Sequence, residues 1–147
     1  MATTTFLSNA TINITQGATT YDLSDQANQC TVTVGYDILE STAFGDTGHR
    51  NVQGLQSVNV SITFFLSYGG SGASSEVETA LAAIVGQGNT TLVISPSGTT
   101  ESASNPEYTI TNAMLATFTP INSTVSELAT VQCEFVGGTW ARDITAP

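Results

Sequence analysis

One histidine, His49, is present in the 147 residues, and Asp46 stands three positions before it. With any of the chain's many serines, this pair would complete a Ser-His-Asp set for nucleophilic catalysis on paper. The stretch TAFGDTGHRNVQGLQ, 42–56, argues otherwise. It holds His49 among Gly45, Gly48 and Gly54, where nothing fixes an imidazole for proton transfer. His49 therefore reads as an exposed or interface residue rather than a general base. Two carboxylate pairs, Asp22 with Asp25 and Asp37 with Glu40, have the proximity that glycoside hydrolysis requires. A sugar cleft also needs aromatic platforms, and Trp140 is the one tryptophan. Asp22 and Asp25 do not have calcium-loop spacing, and aspartate in such settings more often bonds its own backbone in a turn.

Cys30 and Cys133 each fall in an alternating apolar run, which reads as two inward-facing small hydrophobes. A disulfide is the alternative, disfavoured by synthesis in the cytosol. Two isolated cysteines make no zinc site. Phosphate-cradling loops, a dinucleotide fingerprint and the G-x-S-x-G elbow are all missing from the sequence. Five N-x-[ST] sequons occur, at Asn9, Asn13, Asn59, Asn89 and Asn122, as a Thr- and Ser-rich chain produces by chance. The residues thus point to a protein that is not an enzyme and uses no metal or cofactor.

The charge balance narrows the partners. Two Lys and Arg residues face twelve Asp and Glu, giving a formal net charge of −10, and lysine is absent. Such a surface repels nucleic acid and anionic lipid. Charged residues make up 10% of the chain, well under an average soluble domain, so Thr, Ser, Asn, Gln and Gly must cover the outside. That composition suits a protein whose surface meets other copies of itself. No apolar run is long enough to span a membrane as a helix. The start MATTTFLSNA lacks a basic n-region and an apolar h-region, so a chain made in the cytosol is expected.

The length fits one domain, 1–147, with a core that needs no staples. Period-two runs dominate, which predicts strands. They lie at 9–15, 28–44 with a break near Gly35, 55–68, 90–96, 107–120 and 128–144. In 55–68, Val58, Val60, Ile62, Phe64 and Leu66 share one face, as in a half-buried antiparallel strand. One short helix is expected at about 75–85. Ser75 and Glu78 have capping-box spacing, Val77, Leu81, Ile84 and Val85 form an apolar stripe, and Gly86 ends it. The sum is a mainly β fold, an antiparallel β-sandwich or barrel with one short α-helix.

Residues 1–8 read as a flexible segment or an arm between subunits. The long connector at 44–54 comprises Phe44, Gly45, Asp46, Thr47, Gly48, His49, Arg50, Asn51, Val52, Gln53 and Gly54, and reads as a loop that docks on a neighbouring acidic subunit. There His49 and Arg50 would be among the few groups able to pair with carboxylates.

Three stretches together resemble the major tail tube proteins of long, flexible-tailed bacteriophages. The first is 21–66, with the turn Asp22-Leu23-Ser24, the T-x-F-G-D element Thr42 to Asp46, and the strand Gly54 to Ser61. The second is the helix at about 75–85. The third is 102–140, with an N-P-x-Y strand, a connector beginning at Pro120, and a last strand closed by Gly-Gly. The resemblance implies a tail-tube-like fold and a structural virion protein. Its hexameric rings would stack helically into a hollow tube that delivers genomic DNA to the host without binding it specifically. It implies as partners other copies of the chain and the tape measure, terminator and distal tail proteins, with assembly in the bacterial cytoplasm and no membrane. The lack of lysine departs from many members and makes the surface electrostatics atypical; the lack of a C-terminal immunoglobulin-like extension departs too and implies a bare tube. Other virion roles, such as tail terminator, head–tail connector or decoration protein, are alternatives, as is a carbohydrate-binding adhesive module.

Overall fold

The computed structural model describes residues 10–98 and 100–145; the arm expected at 1–8 lies outside them. Eight strands and one α-helix are formed: β1 Thr11–Gln16, β2 Thr19–Asp22, β3 Ala27–Glu40, β4 Asn51–Phe65, α1 Val77–Ile84, β5 Thr90–Ser95, β6 Glu107–Leu115, β7 Thr130–Val136 and β8 Thr139–Asp143. The chain is mainly antiparallel β, with the strand order β2-β1-β5-β6-β7-β4-β3 and β8 beside β6.

β6 is shared between two sheets. Its first half pairs with β8, Glu107 to Thr111 against Asp143 to Thr139, while Met114 and Leu115 pair with β7. Asn112 lies between these halves at φ 63°, a left-handed conformation that asparagine tolerates better than most residues. The sequence suggests that Gly137-Gly138 makes a turn that ends the last long strand. β7 and β8 run in succession along the same edge of β6, and the two glycines, both at positive φ, make the step between them.

One apolar cluster joins both sheets and the helix. Ile12 and Ile14 of β1, Leu92 and Ile94 of β5, Ile110 and Leu115 of β6, Val131, Cys133 and Phe135 of β7, and Val77, Leu81 and Ile84 of α1 all lie in it. Val58, Val60, Ile62 and Phe64 of β4 are buried there, and Leu66 packs at its margin with Val85. The intervening Ser57, Asn59, Ser61 and Thr63 face the other way, as the pleat requires.

The start of α1 corrects one expectation. No side chain at its N-cap, Glu76, caps the helix, and Ser75 Oγ donates to the Gly72 carbonyl instead of the helix. The open amides are satisfied by Ser67, beyond the end of β4. Its Oγ accepts from Val77 N at 3.2 Å, and its carbonyl accepts from Glu78 N at 3.0 Å. A cap from a distant segment fixes the helix to the sheet as well as satisfying its first turn. At the other end Gly86, φ 81°, donates its amide to the Leu115 carbonyl at 2.8 Å.

Candidate assembly interface

β3 and β4 form a hairpin of 14 and 15 residues that outgrows the core. Its inner half packs: Val32 opposes Val60 and Val34 opposes Val58. Beyond Tyr36 the pairing skips a residue, a bulge that sets Ile38 against Gln53 and Leu39 against Val52. Past this point Ile38, Leu39, Val52 and Leu55 are all exposed. The connector lies earlier than the sequence suggests, because β3 already ends at Glu40. Asn51, Val52, Gln53 and Gly54 belong to β4, where backbone pairing with β3 continues, and the tip proper runs from 41 to 50. Gly54 is required in that strand, since a Cβ there would press on the Asp37 carbonyl at 2.9 Å.

The tip has an internal hydrogen-bond frame. Ser41 N donates to the Arg50 carbonyl at 2.7 Å, Ala43 N to Asp46 Oδ2 at 2.7 Å, and Asp46 N to the Ala43 carbonyl at 3.1 Å. Thr42 Oγ1 donates to Glu40 Oε1 at 2.9 Å and accepts from Arg50 N at 3.0 Å. His49 Nδ1 meets Glu40 Oε1 at 2.5 Å, and Arg50 Nη1 lies 3.9 Å from Asp46 Oδ1. The hydrogen bonds from His49 and then Thr42 hold the Glu40 carboxyl below the usual glutamate range. Gly45, at φ 93°, turns the chain, and Phe44 stands fully in solvent. Thr47 and Gly48 complete the exposed tip. His49 and Arg50 therefore pair first with acids of their own hairpin.

The carboxylate pairs have structural explanations. Asp22 Oδ1 accepts from Ser24 N at 3.2 Å and Ser24 Oγ at 2.6 Å, a local turn before a 3-10 segment that contains Asp25. Asp37 is at the hairpin bulge and Glu40 at the tip. Among the described residues no group of three or more His, Cys, Asp or Glu is placed to hold a metal, and no helix is long and apolar enough to cross a membrane. Cys30 and Cys133 both oppose Ile62, one on each side of β4. Two inter-strand spacings, roughly 9–10 Å, exceed the Cα reach of a disulfide. Burial pushes the Cys30 thiol up to about 11 and the Cys133 thiol to about 12, so both stay protonated near neutrality. A cleft of about 330 Å³ opens beside Cys30 and Ser24, but Ser24 Oγ is already bonded to Ile12 and Asp22.

Trp140 ties the hairpin to the neighbouring sheet. Its ring lies 6.0 Å from Tyr36 and 6.3 Å from Tyr108, and Nε1 donates to the Gly35 carbonyl at 3.4 Å. The Gln56 amide holds the same strand from β4, accepting from Trp140 N at 3.1 Å and donating to its carbonyl at 3.4 Å. Sequence reasoning missed Gln56, because its role depends on a strand 84 residues away. It also missed Ile121, Val125 and Leu128, exposed apolar residues in the connector between β6 and β7.

The outer face of β3-β4-β7 is mostly polar, with Phe65 and Val136 its part-exposed apolar residues. Thr31, Ser61 and Glu134 form one row and Gln29, Thr63 and Gln132 another. Asn59 Nδ2 donates to Glu134 Oε1 at 3.1 Å, and Gln132 Nε2 donates to Ser61 Oγ at 3.2 Å. These rows hold one acid and no base. The far edge of β3 pairs with no strand of the described chain.

No protein-family model matches the chain, and no curated protein matches its sequence. Solved structures do share its fold. The sheath/tube terminator of an extracellular contractile injection system (PVC, extended state) superposes with a TM-score of 0.66 at 13% identity, covering 97% of this chain and 98% of that one. The tube-terminating cap of the anti-feeding prophage (AFP) gives 0.61 at 13% identity, over 99% and 95% of the two chains. A chain of the PVC sheath-tube complex gives 0.59 at 12% identity, over 93% and 89%. The chain shares its fold with these components of phage-tail-like injection systems.

Proposed function

We propose that this chain is a structural virion protein, the subunit of a tail tube. Hexameric rings close when the free edge of β3 pairs with a neighbouring copy, and the rings stack into a hollow tube. The observation that carries this reading is that 14-residue edge, which pairs with no strand among the described residues and is continuous with an exposed apolar hairpin. A long bare edge is an aggregation hazard unless an assembly covers it, and closing a ring covers every such edge. The fold shared with a chain of a sheath-tube complex and with a sheath/tube terminator of an injection system supports the same reading. The sequence resemblance to tube proteins of long flexible tails supports a tube that delivers DNA.

The mostly polar outer face of β3-β4-β7 is then the lumen wall. It would present hydroxyls and amides with a sixfold ring of Glu134 and no cation, so DNA would find nothing to hold it. Low stickiness would come from missing bases more than from concentrated negative charge. A second reading, a terminator that closes the end of a tube, is favoured by the sheath/tube terminator and the terminating cap among the similar folds. Negative-stain microscopy of the purified protein separates the two. A tube subunit gives extended hollow tubes at high concentration, whereas a terminator stops at single rings. A protein that sediments only as a monomer contradicts both.

A further inference from the structure

We infer that copies of this chain stack head to tail, the hairpin tip of one seated on the 116–129 connector of the next. The inference rests on the tube reading and names the axial contact between rings. Two exposed apolar groups lie at opposite ends of β4. At the Asn51 end the tip presents Phe44, wholly outside the core. At the Phe65 end, Leu66 N donates to the Ala129 carbonyl at 2.9 Å and Tyr68 Oη donates to the Pro120 carbonyl at 2.8 Å. Asn122 Nδ2 donates to the Thr130 carbonyl at 2.9 Å, and Phe118 packs against the core. The connector is thus anchored, yet Ile121, Val125 and Leu128 are 81%, 92% and 79% exposed. Apolar side chains held outward on an anchored segment are the composition of an interface core.

A strand of 15 residues spans roughly 50 Å at 3.3–3.4 Å per residue, so a tip cannot reach the connector of its own chain. The contact must join different copies. Two unlike patches at opposite ends make a heterologous contact, which repeats without closing and builds a filament. One polar pairing can join the contact. His49 and Arg50 are two of the three basic side chains in the sequence, and on the tip they already face Glu40 and Asp46. The Phe65 end carries acids, Glu127 within the connector and Glu76, which accepts from Ser67 Oγ at 3.1 Å. Arg50 is held to Asp46 by one long contact of 3.9 Å, which a carboxylate on the next copy can replace.

The test is a Phe44→Cys, Val125→Cys double variant, oxidised after assembly and run on a non-reducing gel beside each single variant. The native thiols are buried or half-buried and stay protonated, so they give little background. The double variant is expected to form a ladder of multimers, and each single variant nothing beyond a dimer. Tubes in the micrograph without a ladder overturn the contact and leave the tube reading standing. A ladder without tubes keeps the contact and overturns the tube reading; neither tubes nor ladder overturns both. Val125→Asp should leave rings intact and shorten the tubes at least tenfold. Tubes of wild-type length in that variant also overturn the contact.

Discussion

Glu107 opposes Asp143 across the β6–β8 pair. Partial burial, then a hydrogen bond and charge repulsion from Glu101, then the Asp143 charge, raise its pKa above the usual glutamate range. The folded state therefore holds a proton that the unfolded chain releases, so stability falls as pH rises from about 4.3 through the raised value. Glu107→Gln should flatten that fall and leave the protein about 0.2–1 kcal/mol more stable at pH 7. Urea unfolding over a pH series reads this, and a less stable variant at pH 7 would refute it. The glycines of the β7–β8 step offer a second contrast. A Cβ at Gly138 would collide with the Thr111 carbonyl, whereas one at Gly137 meets open space and only a positive φ. Gly137→Ala should cost about 1–2 kcal/mol and Gly138→Ala clearly more, by thermal melting. The sequence shows both residues as one Gly-Gly turn. Their difference exists only because Asn112 of β6 passes beneath one of them.

At the scale of elements, β4 was the most legible feature, because alternation over Val58 to Phe64 needs only the pleat to place its side chains. Val60, fully buried between Val32 and Phe135, marks that phase. Val60→Asp would bury an unpaired charge and should abolish cooperative melting by circular dichroism. The bulge after Tyr36 was legible only as a break near Gly35, since the extra residue lies on β4 and only the pairing of the two strands reveals it. The helix cap was misread for a related reason: Ser75 has the spacing, but Ser67 arrives through tertiary structure. The hairpin tip is bonded within itself and remote from the core. Replacing 42–49 with an Asn-Gly turn should change the melting temperature by only a few degrees, in keeping with how loops tolerate deletion. The same variant should no longer form tubes. Unchanged tube formation would remove the tip from the interface.

At the scale of the molecule, the mainly β character and the single helix followed from local periodicity, while β2 at Thr19–Asp22 and the strand order did not. That β7 and β8 share one edge of β6 is decided by packing between residues far apart in the chain, and no local pattern encodes it. The free edge of β3 is likewise a property of the finished sheet. It gives the low charge and missing lysine a physical role: in the proposed ring, a Thr-, Ser- and Asn-rich sheet would be an inner wall. The most direct measurement is a cryo-electron reconstruction of the assembled protein. The account predicts sixfold rings in which β3 pairs with the adjacent subunit and Thr31, Asn59, Ser61 and Glu134 face an open lumen. A reconstruction in which β3 keeps a free edge, or in which those residues face outward, would contradict it.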